Sequence, residues 1–237
     1  MKKITTYVIT ALITLNLSGQ SLLPIKYGMK IGANISNFNS TTNDGVENIE
    51  SSSLIGVSGG FYIEIPLNDL WYINTDLIYS QKGASFNYNY THNYAVNERD
   101  LHKSNQEIRL AYLEINPNVS YKRTDKLSLN IGPSASYLLT PSYRIISDKG
   151  EHDGEVAHEE LPNSIYEEET LDIGLNIGMS YYLTENFLIE SKVNTGFMSI
   201  GEVSQEINTL DAASNPIKTN IYNLKNKAIT VSIAYLF

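Results

Sequence analysis

The decapeptide Ala228–Phe237, AITVSIAYLF, carries the reading of the whole chain. Ile229, Val231, Ile233, Tyr235 and Phe237 fall on one parity, and Ala228, Thr230, Ser232 and Ala234 on the other. Successive side chains of an extended strand point to opposite faces, so this is a β-strand with one oily face and one small, mildly polar face. Two architectures suit such a strand. A soluble sandwich or lipocalin-like barrel turns the oily face toward protein, whereas a transmembrane barrel turns it toward lipid and the other face toward a polar lumen.

The same alternation recurs along the chain in eight segments: Ile25–Phe38, Leu54–Pro66, Leu70–Tyr90, Glu107–Tyr121, Leu127–Tyr143, Leu171–Leu183, Phe187–Ile200 and Ala228–Phe237. None carries a sustained apolar repeat of helical period. Their connections alternate between short and long. Pro66–Asp69, Lys122–Lys126 and Thr184–Asn186 have tight-turn compositions, while Asn39–Ser53, Thr91–Gln106, Arg144–Thr170 and Gly201–Lys227 are long and polar. Outer-membrane barrels show this asymmetry, with short periplasmic turns and longer external loops. An even strand number puts both termini in the periplasm. The spacing therefore predicts an all-β fold, an eight-stranded up-and-down antiparallel transmembrane β-barrel. Nine residues from Ile229 to Phe237, at about 3.3 Å each and tilted about 40°, rise roughly 23 Å, which matches an apolar band about 25 Å tall.

Composition supports this choice. Charged residues make up 18% of the 237, below the roughly 25% of soluble domains. The net charge of −9 argues against a nucleic-acid partner. There is no cysteine, which excludes disulfides, thiolate metal sites and a lipid anchor on Cys. Met1-Lys2-Lys3 followed by apolar Ile4–Leu17 and small Ser18-Gly19 reads as a secretory signal peptide. The expected domains are thus a signal peptide over 1–19 and a barrel over 20–237, exported and lodged in the cell outer membrane after cleavage.

The polar parity holds Lys30, Glu64, Asp76, Glu114, Asp172, Glu190 and Lys192 among Gly, Ser and Asn. A solvated face would carry more Lys and Glu, whereas eight strands leave an interior that side chains just fill. These seven residues are predicted to form a charge cluster in the lumen, since a buried charge needs a partner. Lys30 and Lys192, with Lys82 or Arg144, are the candidate cations, and inward Gly28, Gly32, Gly174 and Gly178 would make room for them. Such a cluster reads as a plug of ion pairs closing the pore, or as a selectivity filter.

Other groups point less far. Glu151–Thr170, EHDGEVAHEELPNSIYEEET, offers carboxylates to a divalent cation but no ordered ligand spacing, and reads as a solvated acidic segment. His92, His102, His152 and His158 fall in expected external loops with no hydrolase or zincin motif around them, so neither an enzyme, a metal nor a cofactor is predicted. Trp71, Tyr72, Tyr121, Tyr137, Tyr181, Tyr182, Phe187, Tyr235 and Phe237 are expected at the turn-side strand ends, as headgroup anchors. The stretch SFNYNYTHNY (85–94) extends past the bilayer as a ribbon suited to partner contact, or as a hairpin that merely projects.

The segments YGMKIGANISNF, LEINPNVSYK, LNIGPSASYLL and LDIGLNIGMSYYL, the final Phe237 and the Gly19-Gln20 signal end resemble the PorT-like outer-membrane β-barrel family of Bacteroidetes-type bacteria. The resemblance covers nearly all of the mature chain and contains no catalytic motif. It implies location and fold, and links the namesake to a secretion system. The expected role is structural or interaction-type, through external loops that meet an envelope or extracellular protein, in a monomer surrounded by outer-membrane lipid. The rivals are a narrow pore for small solutes or ions, an accessory component of a protein-secretion system, and a soluble periplasmic binding barrel.

Overall fold

A computed structural model of the chain describes residues 25–42, 51–95, 98–149, 170–207 and 218–237. The signal-peptide reading of 1–19, the acidic stretch 151–169, His152 and His158 lie outside these residues. The described residues form nine strands: β1 (Lys26–Thr42), β2 (Ser51–Pro66), β3 (Trp71–Ala95), β4 (Glu98–Lys122), β5 (Leu127–Lys149), β6 (Leu171–Tyr182), β7 (Phe187–Gly196), β8 (Gly201–Ile207) and β9 (Lys218–Leu236). All neighbours are antiparallel, in the order β1-β2-β3-β4-β5-β6-β7-β9-β8, and β1 pairs with β9 to close the sheet. Strands β7 and β8 both pair with β9, one beyond the other, β7 against Lys227–Tyr235 and β8 against Lys218–Leu224. They share one wall position, so the barrel has eight. Closure matters because an unpaired ladder in hydrocarbon costs several kcal/mol per exposed backbone group.

The shared position is broken at Phe197–Ile200. Gly196 and Gly201 bound the break, and Gly201 has φ 156°, a conformation that L side chains rarely adopt. At Gly196 a Cβ would stand 2.7 Å from both carboxylate oxygens of Asp172. A side chain there would have to displace that carboxylate.

Three tight turns join β2–β3, β4–β5 and β6–β7 by one device. Asn68 Oδ1 accepts from the Leu70 and Trp71 amides at 2.9 Å each. Thr124 Oγ1 accepts from Lys126 and Leu127 at 3.3 and 3.0 Å, and Thr184 Oγ1 from Asn186 and Phe187 at 3.3 and 3.0 Å. A short side-chain acceptor at the turn's start replaces the missing ladder partners of the next two amides.

The other side departs from the expected loops. Thr91–Gln106 is largely strand: β3 and β4 continue as a paired hairpin to Ala95↔Glu98, and β5 extends beside it to Lys149. His92 and His102 are therefore strand residues, with His92 in register with Asp100 and His102 with Tyr90. Gly201–Lys227 likewise contains β8 and the start of β9. Polar composition hid these extensions, because a strand pair standing in water needs no oily face. At about 3.3 Å per residue and 40° tilt, the 25 residues of β3 rise roughly 60 Å, far more than an apolar band of about 25 Å.

Parity divides the wall as the alternation requires. Ile31, Ile55, Val57, Phe61, Ile131, Ile177, Val231 and Ile233 are exposed on the outside, whereas Asp172 and Glu190 are buried within. Trp71 packs on Tyr121 at 4.9 Å between ring centroids, Phe187 on Tyr235 at 5.1 Å, and Phe237 on Tyr235 and Tyr27 at 5.4 and 5.8 Å, forming a turn-side aromatic band. Three expected anchors do not belong to it. Tyr72 and Tyr182 are buried inside, because each directly follows an outward residue and must point the other way. Tyr137 is outward but sits at the opposite end, paired with Leu113 and Leu171.

If hydrocarbon covers the outer parity, Val231→Arg lowers stability in vesicles by about 2–4 kcal/mol, read from urea unfolding titrations. A loss under about 0.5 kcal/mol, the scale of an ordinary surface change, would place Val231 outside the bilayer.

Candidate functional site: the lumen

The inward parity builds the site. Lys30, Glu64, Asp76, Glu114, Asp172, Glu190 and Lys192 are all buried, together with Lys82. Lys30 comes from β1, Glu64 from β2, Asp76 and Lys82 from β3, Glu114 from β4, Asp172 from β6, and Glu190 and Lys192 from β7.

At mid-height four charges interlock. Lys30 Nζ lies 2.6 Å from Asp76 Oδ1 and 3.0 Å from Glu190 Oε1. Lys192 Nζ lies 2.7 Å from Asp76 Oδ2 and 3.6 Å from Glu190 Oε1. Asp76 thus receives one lysine on each oxygen. Strands β3 and β7 are four wall positions apart in either direction, so the Lys192–Asp76 pair runs straight across the lumen. Lys82 makes a second crossing: it pairs with Glu114 at 2.7 Å and donates to Asn194 Oδ1 of β7 at 2.9 Å. From Asn194 neutral amides carry on around the wall, to Asn176 at 2.9 Å and from Asn176 to Asn116 at 2.9 Å. Asn194 also donates to Ser134 at 2.8 Å.

Glu64 and Asp172 are held differently from the expectation. Among the described residues neither has a lysine or arginine at ion-pair distance. Glu64 accepts hydrogen bonds from the Tyr62 and Tyr182 hydroxyls, and Tyr182 stands on the wall opposite it. Asp172 accepts from Asn226 Nδ2 at 2.8 Å, and Asn226 also donates to Tyr112 Oη on the opposite wall at 3.0 Å. Arg144 takes no part in the lumen, since it is exposed on the outer surface in register with Glu107. Of the four inward glycines only Gly178 borders a lysine, Lys192, its register partner. At all four a Cβ would collide first with a carbonyl oxygen of the adjacent strand.

Opposite walls therefore meet at three levels: Tyr182–Glu64 near the turns, Lys192–Asp76 and Lys82–Asn194 in the middle, and Asn226–Tyr112 beyond. Above them the inward residues turn apolar. Phe38, Ala84, Phe86, Ile108, Leu110, Leu138, Ile200 and Leu224 pack into a buried cluster, with Phe38 and Phe86 stacked at 5.9 Å. Lysines also lie over rings, Lys30 over Tyr62 at 4.5 Å and Lys82 over Tyr112 at 5.6 Å, where ring quadrupoles favour them. Tyr62, Tyr112, Asn116, Asn194 and Asn226 went unnamed in the sequence reading, although their even numbering on β2, β4, β7 and β9 places them inside. Among the described residues no group of three or more His, Asp or Glu is arranged to hold a metal ion.

A closed antiparallel wall, oily without and polar within, is the form of an outer-membrane β-barrel. Residues 18–202 match the model of the outer membrane protein beta-barrel domain family, and the chain belongs to it. That membership indicates the outer membrane as its location. No curated protein matches the chain. Solved structures of similar form include Ail of Yersinia pestis, 9% identical, covering 91% of this chain and 100% of its own, with a TM-score of 0.38. OprG of Pseudomonas aeruginosa is 12% identical, covering 90% and 95%, with a TM-score of 0.41. AlkL in lipid bilayers is 11% identical, covering 94% and 95%, with a TM-score of 0.41. At these values the likenesses add nothing to what the hydrogen-bond ladder already shows of the fold.

Removing one member of a buried ion network leaves the others uncompensated, at about 3–5 kcal/mol, whereas replacing the whole set by packed apolar groups is near neutral or stabilising. Asp76→Asn is accordingly expected to destabilise the barrel by about that amount in urea titrations. The quadruple change Lys30→Met, Asp76→Leu, Glu190→Leu, Lys192→Met recovers most of the loss. A mild single variant would show that the network is hydrated rather than buried.

Proposed function

We propose that this chain is a small outer-membrane barrel with a sealed lumen, whose role is structural or interactive and is exercised through its external side. The observation that carries the reading is the Lys192–Asp76 pair at 2.7 Å, which joins side chains of opposite walls where an aqueous path would run. The Lys82–Asn194 contact reinforces it at the same level. The long β3–β4–β5 extension supports the second half of the reading. It stands well past the apolar band and is the natural place for contact with an envelope or extracellular protein. On this reading residues 1–19 are removed at export, and the mature barrel is a monomer in outer-membrane lipid.

The resemblance to PorT-like barrels adds a more specific candidate of the same kind, an accessory component of a protein-secretion system. It would require that deleting the gene leave secreted cargo in the cell and that the barrel co-purify with other envelope proteins. A narrow pore is the rival that the lumen itself can test. In planar bilayers the wild-type barrel is expected to stay silent, while Asp76→Ala combined with Lys192→Ala admits small-ion current. Steady wild-type conductance whose ion preference changes with Lys192→Ala would replace the sealed barrel by a pore.

A further inference from the structure

The buried lysines of the lumen differ in what they touch. Lys30 and Lys192 lie against carboxylate oxygens of Asp76 and Glu190. A carboxylate repels a nucleophile, so those contacts are ionic and nothing more. Among the described buried lysines, Lys82 alone also meets a carboxamide. Its Nζ lies 2.9 Å from Asn194 Oδ1 and 2.7 Å from Glu114 Oε1. Lys82, Glu114 and Asn194 are each only 4% exposed. An amine, an amide carbonyl and a carboxylate are thus in contact where little water can enter.

The amide is held in one orientation. Asn194 Nδ2 donates to Ser134 Oγ at 2.8 Å and to Asn176 Oδ1 at 2.9 Å. Both N–H groups are therefore engaged, which fixes the amide plane and leaves the oxygen toward Lys82. With a C=O bond of about 1.23 Å, an amine 2.9 Å from the oxygen is at most about 4.1 Å from the carbonyl carbon. Reacting atoms in a productive encounter stand about 3–3.5 Å apart, so a small shift of the lysine brings them together. The Lys82 ammonium also lies 5.6 Å from the centre of the Tyr112 ring, which belongs to the apolar cluster above. A lysine amine stripped of water and set beside a base is a nucleophile.

We infer that Lys82 and Asn194 join, once the barrel has folded, in an intramolecular isopeptide bond whose formation Glu114 catalyses. Lys82 passes one proton across its contact with Glu114, and ammonium and carboxylate become amine and acid with no net charge created. The amine lone pair attacks Asn194 Cγ, and the Nζ–Cγ bond forms. Glu114 gives its proton to Nδ2 and takes a second one from Nζ, the Cγ–Nδ2 bond breaks, and ammonia leaves. That ammonia carries the two hydrogens of the carboxamide and one supplied through Glu114. No oxidant, reductant or metal takes part. The product is an amide bar between β3 and β7 on opposite walls. The inference does not rest on the sealed-lumen reading, since the bond forms equally well in a conducting barrel.

The test is a peptide map of the full chain, refolded from guanidinium chloride into detergent and digested with trypsin after increasing times. Folded wild type is expected to yield a branched peptide that joins the Lys82 and Asn194 segments. It should resist cleavage after Lys82 and be lighter than the two segments together by one ammonia. Chain kept unfolded should yield the segments separately, as should Lys82→Arg and Asn194→Ala. General acid–base catalysis contributes roughly a hundredfold or more, so Glu114→Gln should slow formation by at least that factor. Retained heat-modifiable gel mobility certifies that each variant is folded, and the wild-type map decides the matter where a variant fails this check. Separate segments and normal cleavage after Lys82 in folded wild type overturn the assignment. Loss of ammonia without the branched peptide overturns it too, because the loss then lies at another residue. An equal rate in folded Glu114→Gln, or an equal yield from unfolded chain, overturns the catalysis claimed for this site.

Discussion

Hydrocarbon offers no hydrogen bonds, and that one fact organises the molecule. A strand crossing it must pair both edges, so the sheet has to return on itself, which here means β1 against β9 from Gly28↔Leu236 to Thr42↔Tyr222. Once the ring closes, every residue has only two destinations, lipid or lumen, and sequence parity chooses between them. The apolar exterior and the crowded polar interior are two readings of the same constraint. The lumen of eight strands is narrow enough that long side chains from facing walls touch, and its charges find partners there without help from solvent.

Where parity rules, the sequence was legible. Alternation through the eight segments was enough for the fold class and for the polar parity of the seven charged positions, and the composition of the short connections marked the tight turns. The errors arose where another rule took over. Polar stretches such as Thr91–Gln106 were read as loops because they lack an oily face, yet two strands that have left the membrane can pair with both faces wet. Tyr72 and Tyr182 were assigned to the headgroups on residue type alone, although Trp71 and Tyr181 already held the outward positions beside them.

Pairing inside the lumen was only half legible for a different reason. Parity says which side a residue faces but not its height or its neighbours across the ring, and those depend on strand stagger. Glu64 and Asp172 therefore received imagined lysines, when stagger brings them the Tyr182 and Asn226 side chains instead. Hydroxyl and amide donors can hold a carboxyl group in place without a full countercharge. The result is an interior that combines one tight ionic knot, Lys30–Asp76–Lys192–Glu190, with a wider lattice of asparagines.

The seam between β1 and β9 has a kinetic consequence. It joins residues some two hundred positions apart in the chain, and β9 must also complete β7 and extend along β8. A structure whose decisive contacts are that distant loses more chain entropy before it gains anything, and such topologies form slowly. Until that last strand arrives, β1 and β7 keep bare edges that invite foreign strands. The barrel's maturation is thus gated by its final segment, and the interval before closure is when it is open to misassembly.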